Sequence, residues 1–309
     1  MLVPDSTSGE YGKLMEFFEQ SYLDDDDFAR HLSLLSLTAD PRFDSALMPA
    51  KMPHSLMGSG SIRHLELSGA NLFRDGDDMS YSTDNWRNLE TVKAWGAYTT
   101  GAWWYRMFKE AEPSLRAIDI SVASEYSVIA DPESPGYNEA ILLCAASLES
   151  LRLDLKGMDD YAIHLGPARQ LSCLSSMQRL RYLEVSLTVV FSSPAAMEAT
   201  DICDFLPPSL RSICLNETYP PWQLSISDMS PDDVISAHAR LLKRSLFQLV
   251  LASGQKLPLL KRVCVVGQNE DWDFDATELE GLCAVETGDR QLFIDCVTLQ
   301  SKDALRDES

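Results

Sequence analysis

A six-residue pattern of hydrophobic and polar positions, apolar-x-x-apolar-x-apolar, recurs nine times along the chain. The gaps between successive first positions lie between 26 and 34 residues, except for one gap of 50. Positions 4 and 6 of each pattern alternate with polar positions, which is typical of a strand with one buried face. The pattern therefore predicts nine short strands, at residues 32–37, 62–67, 89–94, 115–120, 148–153, 180–185, 210–215, 260–265 and 294–299.

Segments with helical spacing lie between several of these strands. They cover residues 99–113, 135–147, 194–207 and 230–253. The last begins with favourable capping residues, because Ser230 can cap the helix, Pro231 suits its first position, and acidic residues follow in the first turn.

A unit of one strand and one return, about 30 residues long, cannot bury its own apolar face, whereas stacked units can. The predicted fold is therefore α/β: a solenoid of nine parallel strands with helical or irregular returns. We predict a helical cap over residues 1–31, the solenoid over residues 32–300, and a polar tail over residues 301–309.

The strands with helical returns resemble leucine-rich repeats. Their long, uneven units are similar to the irregular arrays of fungal F-box proteins, and residues 13–37 resemble the start of such an array. The Asn that regular leucine-rich repeats carry just beyond the strand is missing, and the F-box itself is not recognisable before residue 32.

This resemblance implies a non-catalytic protein-recognition scaffold, a substrate-recognition module related to F-box ubiquitin-ligase subunits. Its partner would be another protein, and an F-box encoded upstream would add a Skp-type adaptor. Two alternatives remain open. One is an orphan scaffold unrelated to ubiquitination, and the other is an enzyme whose site no motif reveals.

Positions 3, 5 and 7 of stacked units should form rows on one exposed, concave sheet face. Position 5 reads Ser36, Glu66, Lys93, Asp119, Arg152, Glu184, Cys214, Cys264 and Thr298. Charges alternate from Glu66 to Glu184, which fits either a surface for a charged partner or a self-neutralising row. The candidate partner-binding residues at positions 3 and 7 are His64, Trp95, Tyr182 and Arg262, because aromatic residues and Arg dominate interface hot spots.

Two further candidates lie in the 50-residue gap. Trp222 follows two prolines, and Arg244 lies on the helix that also carries Arg240 and Lys243. Long insertions in repeat proteins often lie on the binding side, although this helix could equally thicken the outer layer.

Two other features concern aromatic residues and cysteines. Seven aromatic residues fall within residues 86–108 and suit the core of the third unit or a partner surface. Cys214 and Cys264 both occupy position 5, so they should be lateral neighbours and remain thiols.

Composition narrows the class of partner. The 309 residues are 45% hydrophobic and 24% charged, with a formal net charge of −21. Such an acidic chain does not favour nucleic acid or an anionic membrane. The first residues resemble no signal peptide and the seven cysteines form no CxxC pair, so we expect an intracellular protein, cytoplasmic or nuclear, that is a monomer on its own.

No motif indicates a catalytic, cofactor or metal site. The MGSGS stretch at residues 57–61 precedes a strand, whereas a phosphate-binding loop follows one. The five histidines form no HxxxH or HxH pair, and the calcium-loop start at residues 271–275 lacks its later Gly and Glu.

Overall fold

A parallel β-sheet of nine strands, ordered as in the chain, forms the centre of the fold. The computed structural model describes residues 33–38, 61–68, 86–96, 101–122, 134–155, 165–166, 169–217, 231–252, 255–267 and 293–298. The strands are β1 (Leu34–Thr38), β2 (His64–Ser68), β3 (Thr91–Trp95), β4 (Ala117–Ser121), β5 (Ser150–Asp154), β6 (Tyr182–Val185), β7 (Ser212–Glu217), β8 (Arg262–Gly267) and β9 (Phe293–Thr298). Each strand pairs in parallel with the next, which confirms the predicted parallel sheet.

Helices occupy several of the connections between strands. They are α1 (Gly101–Ala111), α2 (Tyr137–Leu142), α3 (Leu187–Val190), α4 (Pro194–Ala199) and α5 (Pro231–Ala252), with 3-10 turns at Ser172–Ser176 and Ile202–Asp204. Helix α1 packs on α2, and α2 packs on the first 3-10 turn, so successive connections form a second layer. No helix in the described part of the chain is long and apolar enough to span a membrane.

The core lies on one side of the sheet and is built from positions 1, 4 and 6 of the repeated pattern. In the fifth unit, for example, Leu148, Leu151 and Leu153 are all buried. The same holds in the second and seventh units, where Ile62 and Leu210 fill position 1. The period-two pattern therefore identified the buried face of the sheet.

Serine side chains tie neighbouring units together just before their strands. Ser114 Oγ donates to the carbonyl oxygens of Arg87 and Leu89 at 2.8 and 2.9 Å. Ser209 Oγ donates in the same way to Leu180 O at 2.9 Å. Ser147 makes an equivalent bond of 2.8 Å to the carbonyl oxygen of Glu112. These bonds satisfy backbone acceptors where the chain enters a strand, in units that lack the Asn of regular leucine-rich repeats.

The predicted register of the ninth strand was wrong. In the structure Phe293 pairs with Arg262 and Asp295 pairs with Cys264, so position 5 is Asp295 rather than Thr298. The unit therefore starts at residue 291, where Gln replaces the expected apolar residue. Because Gln291 is polar, the segment that starts at residue 291 matches the repeated pattern less well than the segment that starts at residue 294.

Several predictions lie outside the described residues. They are the cap over residues 1–31, the tail over residues 301–309, and the capping role of Ser230.

Candidate functional site

The face of the sheet opposite the core carries positions 3, 5 and 7, and we call it the polar face. Large apolar side chains are exposed on it: Leu34 is 48% exposed, Trp95 is 44% exposed and Tyr182 is 36% exposed. These three fractions matter because most other large apolar side chains in the described residues are buried. Leu142, Leu251 and Leu259 are exposed elsewhere, but the exposed aromatic side chains of the described residues, Trp95 and Tyr182, both lie on the polar face.

The predicted charge row on this face, Glu66, Lys93, Asp119, Arg152 and Glu184, is confirmed. The five residues pair consecutively in the backbone register. Lys93 Nζ lies 3.2 Å from Glu66 Oε1, and the Arg152 guanidinium donates to Asp119 Oδ2 at 3.3 Å and to Glu184 Oε1 at 3.0 Å. Three of the four neighbouring pairs are therefore ion pairs, whereas the described residues Lys93 and Asp119 form none with each other.

The expectation that position 5 is exposed throughout was wrong. Lys93 is 46% exposed, whereas the Arg152 side chain is 13% exposed and the Glu184 side chain only 5%. Cys214, next in the row, is also buried. A period-two pattern distinguishes two faces of a strand, but it does not show what covers the polar one.

Glu184 is the buried acceptor at the end of the charge row. Besides Arg152, it accepts hydrogen bonds from Tyr182 Oη at 2.7 Å and from Asn216 Nδ2 at 3.4 Å. Although its side chain is 36% exposed, partial burial of Tyr182, followed by the Glu184 carboxylate, raises its pKa above the usual range. Tyr182 therefore remains a hydrogen-bond donor at neutral pH. Burial lowers the pKa of Arg152, but the carboxylates of Glu184 and Asp119 outweigh it, and the net pKa is raised.

A groove of about 290 Å³ opens on the polar face between β3 and β6. Its walls include Lys93, Asp119, Arg152, Tyr182 and Glu184. Asp119 Oδ1 is buried there and has no hydrogen-bond partner among the described residues. A buried acceptor without a donor is costly, so the groove suits an occupant that brings an N–H or O–H group.

Three of the six candidate residues lie on the polar face with known surroundings. Half-buried His64 shares a hydrogen bond of 2.8 Å between its Nδ1 and Thr91 Oγ1. Trp95 stands at the end of β3, where Lys93 Nζ lies 5.8 Å from its ring centroid. Tyr182 lines the groove. The Trp95 ring and the groove therefore both adjoin Lys93.

Two further candidates, Arg262 and Arg244, do not line the groove. Arg262 is exposed on β8, beside Ser212 of β7. Arg244 is exposed on α5, and Trp222 lies outside the described residues. Helix α5 packs on α4 and on the 3-10 turn Ile202–Asp204, which favours the alternative that it thickens the outer layer.

The aromatic cluster divides between core and surface. Trp86, Trp104 and Phe108 are buried, whereas Trp103 and Tyr105 pack partly exposed against the core. Most of the described cluster is therefore core, and Trp95 is its exposed member.

The predicted cysteine neighbours are also confirmed by the register. Cys214 pairs with Cys264 across β7 and β8, with Cys214 buried and Cys264 half-buried. Elsewhere in the core, burial raises the pKa of the Cys144 thiol to about 12, with Glu112 adding to the effect. Such a thiol is almost wholly protonated at neutral pH and so is a poor nucleophile.

A second row of charges lies at position 2 of the units, where most units carry Lys, Arg or Glu, but the sequence analysis did not predict that these residues form a row. Backbone hydrogen bonds of 2.7 to 2.9 Å connect the position-2 residue of each unit to the position-2 residue of the next unit. Arg63 pairs with Glu90 at 3.1 Å, and Glu149 pairs with both Arg116 and Arg181 at 3.4 Å. Reading position 2 down the units, as was done for position 5, would have found it. The row comprises Arg63, Glu90, Arg116, Glu149, Arg181, Arg211 and Lys261.

Reversing Lys93 to Glu is expected to lower the free energy of unfolding by about 1 kcal/mol at low salt. The substitution places three acidic side chains side by side, and screening by salt should reduce the loss. Urea unfolding at low and high salt measures it. Adding Glu66→Lys restores one ion pair and should recover part of the loss, whereas an equal loss at both salt concentrations would contradict this interpretation of the row.

Among the described residues, no group of three or more His, Cys, Asp and Glu side chains is placed to hold a metal ion. No protein-family model and no curated protein matches this sequence.

Proposed function

We propose that this chain is a leucine-rich-repeat-like solenoid that recognises another protein through its polar face and catalyses no reaction. The parallel sheet in chain order and the stacked returns support the solenoid, because each unit contacts its neighbours in sequence. In this proposal the protein acts inside the cell, in cytoplasm or nucleus, as a monomer on its own, and binds neither nucleic acid nor membrane.

The observation that carries the proposal is the pairing of exposed aromatic residues with a groove on one face. Trp95 and Tyr182 are exposed, and the groove contains an acceptor, Asp119 Oδ1, that lacks a donor. Protein interfaces combine such aromatic anchors with hydrogen-bonding groups that a partner completes. A peptide or protein loop with a basic or hydroxyl side chain fits the groove.

Affinity capture with matched variants tests this function. Trp95→Ala together with Tyr182→Ala should remove the specifically captured protein. The control pair, Leu142→Ala and Leu251→Ala, removes similarly exposed side chains from α2 and α5 and should leave capture unchanged. Equal capture by both pairs would contradict recognition through the polar face.

The same experiment tests the relation to F-box ubiquitin-ligase subunits, which rests on the resemblance of the repeat units. A Skp-type adaptor that co-purifies with the chain, independently of the two polar-face substitutions, supports a substrate-recognition module. Capture that depends on the polar face without any adaptor supports the orphan scaffold instead.

A further inference from the structure

The alternation of charges along the position-2 row ends at Arg181, next to β6. From Arg63 to Arg181 its charges alternate and form ion pairs across the strands. The next two members, Arg211 and Lys261, are both basic. Backbone hydrogen bonds of 2.9 and 2.8 Å link Arg181 to Arg211 and Arg211 to Lys261, so three cations stand on neighbouring strands.

We call these three residues, Arg181, Arg211 and Lys261, the basic patch. All three side chains are exposed. Arg211 and Lys261 make no ion pair with any described residue, whereas Arg181 retains Glu149 at 3.4 Å. The patch places three cations side by side on a chain whose net charge is −21.

Like charges on neighbouring strands destabilise a sheet. One substitution, Glu in place of Arg211, would continue the alternation of the row and remove this repulsion. The chain instead keeps three cations together where stability alone favours an acid between them. Stability does not explain the patch, but a binding partner that supplies the missing negative charges does.

We infer that the basic patch docks an acidic segment, rich in Asp and Glu, of the protein partner. Neighbouring strands lie about 5 Å apart, so the patch spans about 10 Å along the position-2 row, which matches a few carboxylates of an extended chain. Arginine also suits carboxylates because its guanidinium can donate two parallel hydrogen bonds. This inference rests on the proposed protein-recognition function and specifies the chemistry of the partner.

A protein segment fits better than a nucleic acid. A nucleic acid extends its negative charge uniformly along its length and would meet the acidic remainder of this molecule beyond the patch. A protein partner can confine its acidic residues to the short segment that contacts the patch. The rest of the partner is then not repelled by the acidic remainder of this chain.

Binding of a labelled Glu-rich peptide of about eight residues, measured by fluorescence anisotropy at about 50 mM salt, tests the inference. The wild-type protein should bind it, and a peptide with Gln in place of Glu should not bind. Arg211→Glu should weaken binding about tenfold at this salt. The matched control Arg106→Glu makes the same change in net charge at an exposed position on α1 and should leave binding nearly unchanged.

Thermal unfolding separates this result from a folding defect. Arg211→Glu should keep or raise the melting temperature because it restores alternation of the row. Equal binding by wild type and Arg211→Glu, absence of peptide binding, or tighter binding of a single-stranded oligonucleotide would each overturn the inference. If polar-face capture still depends on Trp95 and Tyr182 in that case, only the acidic partner is wrong and the recognition function remains.

Discussion

Replacing Arg152 with Met is expected to lower the free energy of unfolding by about 3–5 kcal/mol, because removing one partner of a buried ion pair leaves the other charge uncompensated. Arg152 is 13% exposed and neutralises two carboxylates, of which Glu184 is almost fully buried. Without the guanidinium, the Glu184 carboxylate loses this ion pair, and the Tyr182 hydroxyl and the Asn216 amide that donate to it are neutral. Urea unfolding of the purified variant measures the loss.

Two further variants assign that loss to the buried charge. Lys93→Met removes a cation from the same row at a 46% exposed position and should cost at most about 1 kcal/mol. Adding Glu184→Gln to Arg152→Met should recover part of the stability, since the more deeply buried of the two carboxylates is then neutral. If Arg152→Met costs no more than Lys93→Met, the ion pairs of Arg152 do not stabilise the fold more than an exposed ion pair does.

The second large effect is expected at Gly136, where replacement by Ala should cost about 3 kcal/mol through overpacking. A Cβ at Gly136 would stand 2.5 Å from the carbonyl carbon of Leu165, and one at Gly101 would stand 2.5 Å from the carbonyl carbon of Gly136. Both obstacles are backbone, which cannot rotate away. Gly166, next in this stack, has φ +95°, a conformation that favours glycine.

Differential scanning calorimetry can compare Gly136→Ala with Ala146→Ser, which also adds one heavy atom but at an exposed site. The expected drop in melting temperature is about 6–12 °C for Gly136→Ala and close to zero for the control. Equal melting temperatures would mean that the connections before β5 and β6 are not packed backbone to backbone.

The strands of the sheet could be predicted because the residues that specify each strand lie within one unit and recur from unit to unit. Leu, Ile and Val at positions 1, 4 and 6 recur in nearly every unit, and their burial sets both strand position and register. The charge row followed directly, since parallel strands in register place position 5 of one unit beside position 5 of the next. The predicted register is wrong only for β9, where the polar residue Gln291 interrupts the apolar pattern.

The groove could not be predicted in the same way. Its depth depends on what covers the polar face near Glu184 and Cys214, and side-chain periodicity contains no such information. Burial of Glu184 depends on Tyr182, Arg152 and Asn216 from three different strands. The basic patch was missed for another reason, because net charge averages over the chain and hides three cations on adjacent strands.

In the proposed function, this protein binds its partner through the polar face of the sheet. Site-specific photo-crosslinking tests it most directly, with a photoreactive phenylalanine analogue replacing Trp95 or Tyr182 on the polar face, and Leu142 or Leu251 on the outer helices. We expect crosslinks to one and the same protein from both polar-face positions and none from the two helix positions. Crosslinks to a protein from the helix positions alone would contradict it.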